Sequence, residues 1–308
     1  MMSDNFSFIG KLIKNLKNLT EEEAYTLMKG ILKREISDIK IAAILTALRI
    51  KRESSEELYG FYKAMKEFVR CNTTLPHALD IASNYDGKVR TLYILPSAVV
   101  IAEHLGVSLT YHWAERVPAK MGITLGEVLK VLGIKISSLH QRDFIPELYE
   151  LLPLRRELGI RTVFNVLEKL LNPFGAEKII TSVFHKPYFE KVYELCEKVG
   201  FRGITVIKGV EGGIEPLTDR PTFIMRGDDV EKIDPDKLGI RLPKNVETPN
   251  VLKDSVEINK MILSGNAPEE FKNWACLTAS VLLLADGKFN NVEEAFEASR
   301  EALNGISS

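Results

Sequence analysis

The chain is poor in cysteine, in surplus charge and in long apolar runs, and each shortage closes off a class of protein. Three cysteines occur among 308 residues, Cys71, Cys196 and Cys276. They are odd in number, far apart and without metal-ligand spacing, so neither a disulfide framework nor a structural zinc site can be built on them. Cys196 and Cys276 fall inside apolar helical patterns and read as reduced core thiols. The formal net charge is -1, which excludes a globally basic nucleic-acid binder but leaves room for a local basic groove, because association follows the local field. No run of about 18 apolar residues occurs, and the N-terminus lacks a charged-then-apolar leader pattern. No membrane partner and a cytoplasmic location are the expectation. Internal repeats, low-complexity tracts and heptad runs are also missing.

What remains is an ordinary globular composition, 45% hydrophobic and 27% charged, sufficient for a sizeable core. Residues 7–70 read as helices throughout. Thr20 with Glu23 and Ser54 with Glu57 form capping boxes, Ser37 is a further expected N-cap, and apolar residues follow each at 3.6-residue spacing. From about residue 75 the pattern changes. Short apolar runs at 79–82, 107–111, 179–183, 204–207 and 222–225 read as strands. They alternate with helical patterns at 95–105, 124–132, 146–152, 162–171 and 187–199. Three helices close the chain, at about 253–264, 268–285 and 291–303. Alternation of this kind predicts a largely parallel sheet covered by helices.

Three segments carry a resemblance. One runs from Leu19-Thr20-Glu21-Glu22-Glu23-Ala24 through Ala47-Leu48-Arg49-Ile50-Lys51 to Glu56-Glu57-Leu58. The second is Pro153-Leu154-Arg155-Arg156-Glu157-Leu158-Gly159-Ile160-Arg161-Thr162-Val163-Phe164-Asn165, closing with Leu171-Asn172-Pro173-Phe174-Gly175-Ala176. The third is the C-terminal helix pair. Together they resemble the anthranilate phosphoribosyltransferase family, within glycosyltransferase family 3 and the nucleoside phosphorylase class II fold. The resemblance implies an α/β protein in which a small all-helical domain faces a larger α/β domain with a central, mainly parallel sheet. It places the helical domain at 1–72, completed by about 162–185, and the α/β domain at 73–161 and 186–308. It also implies a homodimer through the N-terminal helices. The family's reaction moves ribose 5-phosphate from phosphoribosyl pyrophosphate to an aromatic amine, with magnesium on the pyrophosphate.

The family's substrate motifs are altered here. A glycine-rich turn lets backbone N–H groups approach phosphate closely, and the family reads Gly-Thr-Gly-Gly-Asp-Gly. This chain has Ser83-Asn84-Tyr85-Asp86-Gly87. Asn-Ile-Ser-Thr becomes Tyr93-Ile94-Leu95-Pro96, and Lys-His-Gly-Asn-Arg becomes Tyr111-His112-Trp113-Ala114-Glu115, with Lys120 and Gly122 matching downstream. The magnesium-holding Asp-Glu pair falls on Ile214-Glu215, so Glu215 is a weak metal candidate and magnesium is expected only if transfer persists; otherwise no cofactor is expected. No catalytic residue is assigned. The candidates for binding phosphate, another anion or nucleic acid are Asp86, Gly87, Lys88, Arg90, His112, Arg155, Arg156 and Lys208. Arg155 matches the family arginine that faces the anthranilate carboxylate. Arg155, Arg156 and Arg161 can take an anion by bidentate hydrogen bonds, or pair with Glu157 or helix ends. Lys88 and Arg90 can touch a nucleic-acid backbone or form a solvated loop. His112 and His185 read as structural, and Tyr85, Tyr93 and Trp113 as core.

The pattern resembles the family's non-biosynthetic branch, typified by the bacterial YbiB proteins. That implies a non-catalytic dimer binding single- or double-stranded nucleic acid without sequence readout. Lys11, Lys14, Lys17, Lys29, Lys33, Arg34, Arg49, Lys51 and Arg52 would be its basic face, or a solvated helix surface. A transferase with a divergent active site, or a structural or regulatory dimer with no ligand in the cleft, are the alternatives.

Overall fold

The computed structural model describes residues 7–184, 188–227 and 229–307; His185 and residue 187, the expected start of a helix, lie outside the described residues. Four helices come first: α1 (Ile9–Asn15), α2 (Glu21–Leu32), α3 (Asp38–Lys51) and α4 (Ser55–Lys66). Both capping boxes form: the Thr20 and Ser54 hydroxyls accept the N–H of Glu23 and Glu57, and both glutamates reach back to the cap N–H. Ser37 does occupy the cap position of α3, but its side chain makes no cap bond. Glu57 does more than cap. Fully buried, it also accepts the Leu19 N–H at 2.8 Å and the Lys51 ammonium at 2.5 Å. Lys51 is therefore a buried tie between α3 and α4, and not part of an exposed basic face.

The α/β layer begins with β1 (Leu79–Ala82), α5 (Leu95–His104), β2 (Leu109–Trp113), α6 (Leu125–Leu132) and β3 (Ser137–His140). The chain then returns to the helical side through α7 (Gln141–Phe144), α8 (Pro146–Tyr149), α9 (Leu152–Leu158) and α10 (Phe164–Leu167), which runs into a 3-10 turn at Glu168–Leu170. It re-enters the sheet as β4 (Lys178–Ser182), followed by α11 (Phe189–Lys198), β5 (Gly203–Lys208), β6 (Thr222–Arg226) and β7 (Asp229–Ile233). Helices α12 (Val251–Leu263), α13 (Glu269–Asp286) and α14 (Val292–Ile306) complete it.

The sheet order is β3-β2-β1-β4-β5-β6-β7. The first five strands run parallel, and β6 and β7 are added antiparallel. The fold is α/β, a helical N-terminal unit beside a larger, mostly parallel layer. One face of the sheet is covered by α5, α6 and the last three helices. α13 is buried without a break from Trp274 to Ala285, as a helix apolar on every side must be. The other face packs against α11, and its core runs on without interruption into α1–α4 and residues 144–171. No helix among the described residues is long and apolar enough to cross a membrane.

Candidate functional site

In a parallel sheet the loops leaving the C-terminal strand ends converge on one crevice. Here a cavity of about 730 Å³ opens at that edge. Its walls come from the end of α3 and the residues just after it (Arg49 to Glu53), the loop after β1 (Asn84 to Asp86), residues 161–170, the end of β4 and the start of α11. Cations outnumber anions on its surface: Arg49, Arg52, Arg161, Lys169 and Lys191 against Glu53 and Asp86. Burial of the Glu53 carboxyl raises its pKa above the ordinary range, which further reduces the negative charge of the wall.

Of the eight anion-binding candidates and the metal candidate Glu215, Asp86 alone lines this cavity, joined by Arg161, Arg49 and Arg52, which the sequence also noted; Asp86 is no anion site. Its carboxylate accepts from Arg161 Nη2 at 2.5 Å and lies 3.6 Å from Lys120 Nζ. Burial lowers the Lys120 pKa, with Asp86 and Glu211 pulling the other way. Gly87 has φ +66°, and a Cβ there would lie 2.4 Å from the Ile123 carbonyl oxygen. Glycine is needed so that the loop can pack against Gly122-Ile123, not to expose N–H groups; its own N–H is spent on the Asn84 carbonyl.

Lys88 is 2% exposed. Its ammonium donates to the Leu92 carbonyl at 2.9 Å and to Glu215 Oε1 at 2.8 Å, above the ring of Tyr93. Lysine thus supplies the counter-charge to Glu215, whose neighbour Ile214 offers no oxygen ligand. Glu215 Oε2 is buried without a partner, but one carboxylate already neutralised by an ammonium does not fit a magnesium site, which needs several oxygen ligands. No group of three metal-ligating side chains occurs among the described residues.

Arg155 is 1% exposed and grips Glu168 with both arms, Nη1 to Oε2 at 2.9 Å and Nη2 to Oε1 at 3.0 Å, with Phe164 under its plane. The fork expected to meet a ligand carboxylate, or Glu157, is filled by the chain's own Glu168. Arg156 donates to the carbonyls of Arg116 and Glu115 and fastens that loop. His112 is buried, with Nε2 3.2 Å from Asp80 Oδ2 and Nδ1 against the Tyr85 hydroxyl. Thr110 Oγ1 donates to the other Asp80 oxygen at 2.9 Å, so His112 is structural, as the sequence indicated. Lys208, at the end of β5, and Arg90, exposed in its loop, both lie off the cavity wall.

A second glycine-rich turn, Gly209-Val210-Glu211-Gly212-Gly213, contributes a residue that was not among the candidates. Glu211, at φ +51° in the glycine-rich turn, sends its carboxylate into three successive backbone N–H groups, of Val89 (2.9 Å), Arg90 (3.2 Å) and Thr91 (3.1 Å), and accepts the Thr91 hydroxyl as well. Successive N–H groups form a concave anion-binding nest, and this one is filled from within. Burial would raise the Glu211 pKa, but these donors and Lys120 outweigh it and hold it low. The other residues missed are Lys169 and Thr162 on the cavity wall. A charged pair, Glu168-Lys169, inside the apolar run 163–171 was the available signal.

A glycosyl transferase family's helical bundle domain matches residues 6–69, and its a/b domain matches residues 125–305. An uncharacterized protein of Aquifex aeolicus is 51% identical over 96% of both chains. The anthranilate phosphoribosyltransferase of a Geobacillus species is 30% identical, covering 92% of this chain and 90% of its own. Among solved structures, the Thermus thermophilus anthranilate phosphoribosyltransferase superposes with a TM-score of 0.78 at 26% identity, over 97% of this chain and 95% of its own. The Saccharomyces cerevisiae enzyme in complex with PRPP and Mg superposes at 0.82 over 99% and 95%, but at 21% identity that likeness speaks for the fold alone. With both of its domains matched and the strand-end crevice in place, the chain belongs to the glycosyl transferase family that includes the anthranilate phosphoribosyltransferases.

Proposed function

We propose that this chain is a non-catalytic member of the family, a homodimer through its N-terminal helices that binds nucleic acid by its phosphate backbone without reading sequence. The observation that carries the proposal is internal substitution. Three groups that would answer to a substrate's negative charge are already held by the chain's own carboxylates: Lys88 by Glu215, Arg155 by Glu168 and the N–H nest at 89–91 by Glu211. Each is buried or shielded, so displacement by phosphoribosyl pyrophosphate would expose a buried carboxylate.

The cations left over face outward. Lys11, Lys29 and Arg34 have carboxylate partners, whereas Lys14, Lys17, Lys33, Arg49 and Arg52 are exposed with no carboxylate at ion-pair distance among the described residues. Arg49 and Arg52 stand at the mouth of the cavity. Such charges contact phosphates and release counterions. The exposed apolar side chains Ile13, Leu16, Ile39 and Ile50 belong to the same helical unit and support the dimer.

Fluorescence anisotropy with labelled single-stranded DNA across a salt series is the test. Binding should weaken linearly in log–log terms, and Arg49→Glu with Arg52→Glu should reduce the slope by roughly 1.4, about 0.7 per lost contact. No binding at about 50 mM salt would sink the proposal. The size of the cavity, inside the range of about 300–1,000 Å³ typical of small-molecule sites, favours a second reading, a divergent transferase. Calorimetry with phosphoribosyl pyrophosphate and magnesium decides it: heat of binding, with product and released pyrophosphate once an aromatic amine is added as acceptor, supports transfer, and a flat trace removes it.

A further inference from the structure

Two buried polar groups on the cavity wall have bonding capacity that nothing in the protein uses. Lys169 is 7% exposed. Its ammonium makes one hydrogen bond, to the Ser182 carbonyl at 2.9 Å, and no carboxylate lies within ion-pair distance among the described residues. Thr162 is 4% exposed, and its hydroxyl has no partner among the described residues. Both residues line the same cavity. A buried ammonium without a counter-ion is strongly unfavourable, and the other lysine and the arginine buried among the described residues each have one. Lys88 has Glu215 and Arg155 has Glu168.

We infer that Lys169 and Thr162 form an oxyanion subsite inside the cavity, which takes the carboxylate or phosphate group of a small ligand with an apolar body. Two free N–H groups of the ammonium and the threonine O–H would donate to the anionic oxygens. Leu58, Val166, Leu170 and Leu195 supply the apolar wall for the rest of the ligand. This site goes beyond backbone binding at the mouth: a strand's phosphates need only the exposed arginines, whereas this subsite is enclosed.

Anion binding here is coupled to a proton. Burial lowers the Lys169 pKa from its usual value to about 8. The charged or titratable groups facing it are Asp86 from the loop after β1, Arg161 from the loop before α10, and Cys196 from α11. Asp86 is already claimed by Arg161. The Cys196 thiol is pushed up to about 12 by burial and stays neutral through pH 9. Across the cavity lie Glu53, Lys191, Arg49 and Arg52. With burial bringing the Lys169 pKa to about 8, an anion bound above that pH must draw a proton onto it.

The test is calorimetry of the full chain with phenyl phosphate and with phenylacetate, at pH 7 and pH 9, in two buffers of different ionisation heat. Both probes keep their charge over this range. Saturable binding should be about tenfold weaker at pH 9, as expected for a required proton on a group titrating near 8, with proton uptake visible as buffer-dependent heat at pH 9. The tighter probe identifies phosphate or carboxylate as the preferred group. Thr162→Val should weaken binding several-fold and leave the pH profile in place. Lys169→Met should abolish binding, and Lys169→Arg, permanently charged, should bind with no pH dependence. Circular dichroism confirms that each variant is folded. Failure of both probes to saturate the wild type at pH 7, or equal binding by a folded Lys169→Met, would overturn the inference. DNA binding by Lys169→Met should match the wild type in salt slope, so the two proposals fail separately.

Discussion

Replacing Glu168 with glutamine tests whether the Arg155 fork is closed as tightly as its geometry implies. The substitution keeps the shape of the side chain and one acceptor oxygen, but leaves a guanidinium that is 1% exposed without a counter-charge. Removing one member of a buried ion pair costs about 3–5 kcal/mol, because the survivor remains desolvated and unpaired. Arg155 has little reserve: its Nε lacks a partner among the described residues, and the Phe164 ring beneath its plane offers no carboxylate. Gln141, which donates to Glu168 Oε2 at 3.3 Å, cannot supply charge. Against a total stability of about 5–15 kcal/mol, Glu168→Gln should remove about a fifth or more. Arg155→Met combined with Glu168→Leu replaces both charges with apolar groups of similar volume and should recover most of the loss, since such swaps are often near neutral. Urea unfolding at pH 7, read as a change in midpoint at constant slope, measures all the variants, and adding Glu168→Leu and Arg155→Met singly closes the double-mutant cycle. If Glu168→Gln and Arg155→Met each cost less than about 1 kcal/mol, the pair behaves as a solvated one and the argument for a self-filled site is refuted.

Three further outcomes follow from the same geometry. Lys169→Met should be more stable than the wild type at pH 7, by up to about 3 kcal/mol. Below pH 8 lysine is protonated in both states and the folded state carries the full burial penalty. Between about pH 8 and 10.5 the folded state sheds its proton first, so the wild type recovers stability and the advantage of methionine shrinks. Denaturation at pH 7 and pH 10 should show this, and an equal advantage at both would contradict it. Gly212→Ala should destabilise by about 1–3 kcal/mol, because φ is +77° and the new methyl group would meet the Phe184 ring at 2.4 Å; thermal or urea unfolding reads it directly. Tyr85→Phe should cost about 1–3 kcal/mol by leaving the buried His112 Nδ1 without a partner, again by urea midpoint, with no change in DNA affinity.

Five strands and nearly every longer helix could be read from apolar periodicity, because β1, β2, β4, β5 and β6 are apolar runs bounded by polar loops. The two strands missed are the outer ones. β3, Ser-Ser-Leu-His, has its first two residues exposed, and β7, Asp-Val-Glu-Lys-Ile, is mostly exposed; neither carries the apolar signal of a strand covered on both faces. The site was less legible for a different reason. Sequence marked Lys88 and Arg155 as anion-binding candidates and Glu215 as a metal candidate, but the charges that meet them lie 127 residues apart for Lys88 and Glu215 and 13 for Arg155 and Glu168. No local pattern states that a charge is already answered. Glu211 illustrates the limit: in sequence it is one acidic residue in a glycine turn, and only the loop packed over it makes it a bound anion. Lys169 hid in an apolar stripe where a charged residue was the anomaly worth noticing.

The sheet's two borders bear on how copies of this protein can associate. β3 is four residues long, and β7 carries Asp229, Glu231 and Lys232 along its length. A short border and a charged one both discourage a neighbouring chain from extending the sheet. The dimer proposed above, through the helical end where Ile13, Leu16 and Ile39 are exposed, thus faces little competition from strand-on-strand pairing. Concentrated solutions should therefore stop at a discrete assembly and not progress to fibrous aggregates.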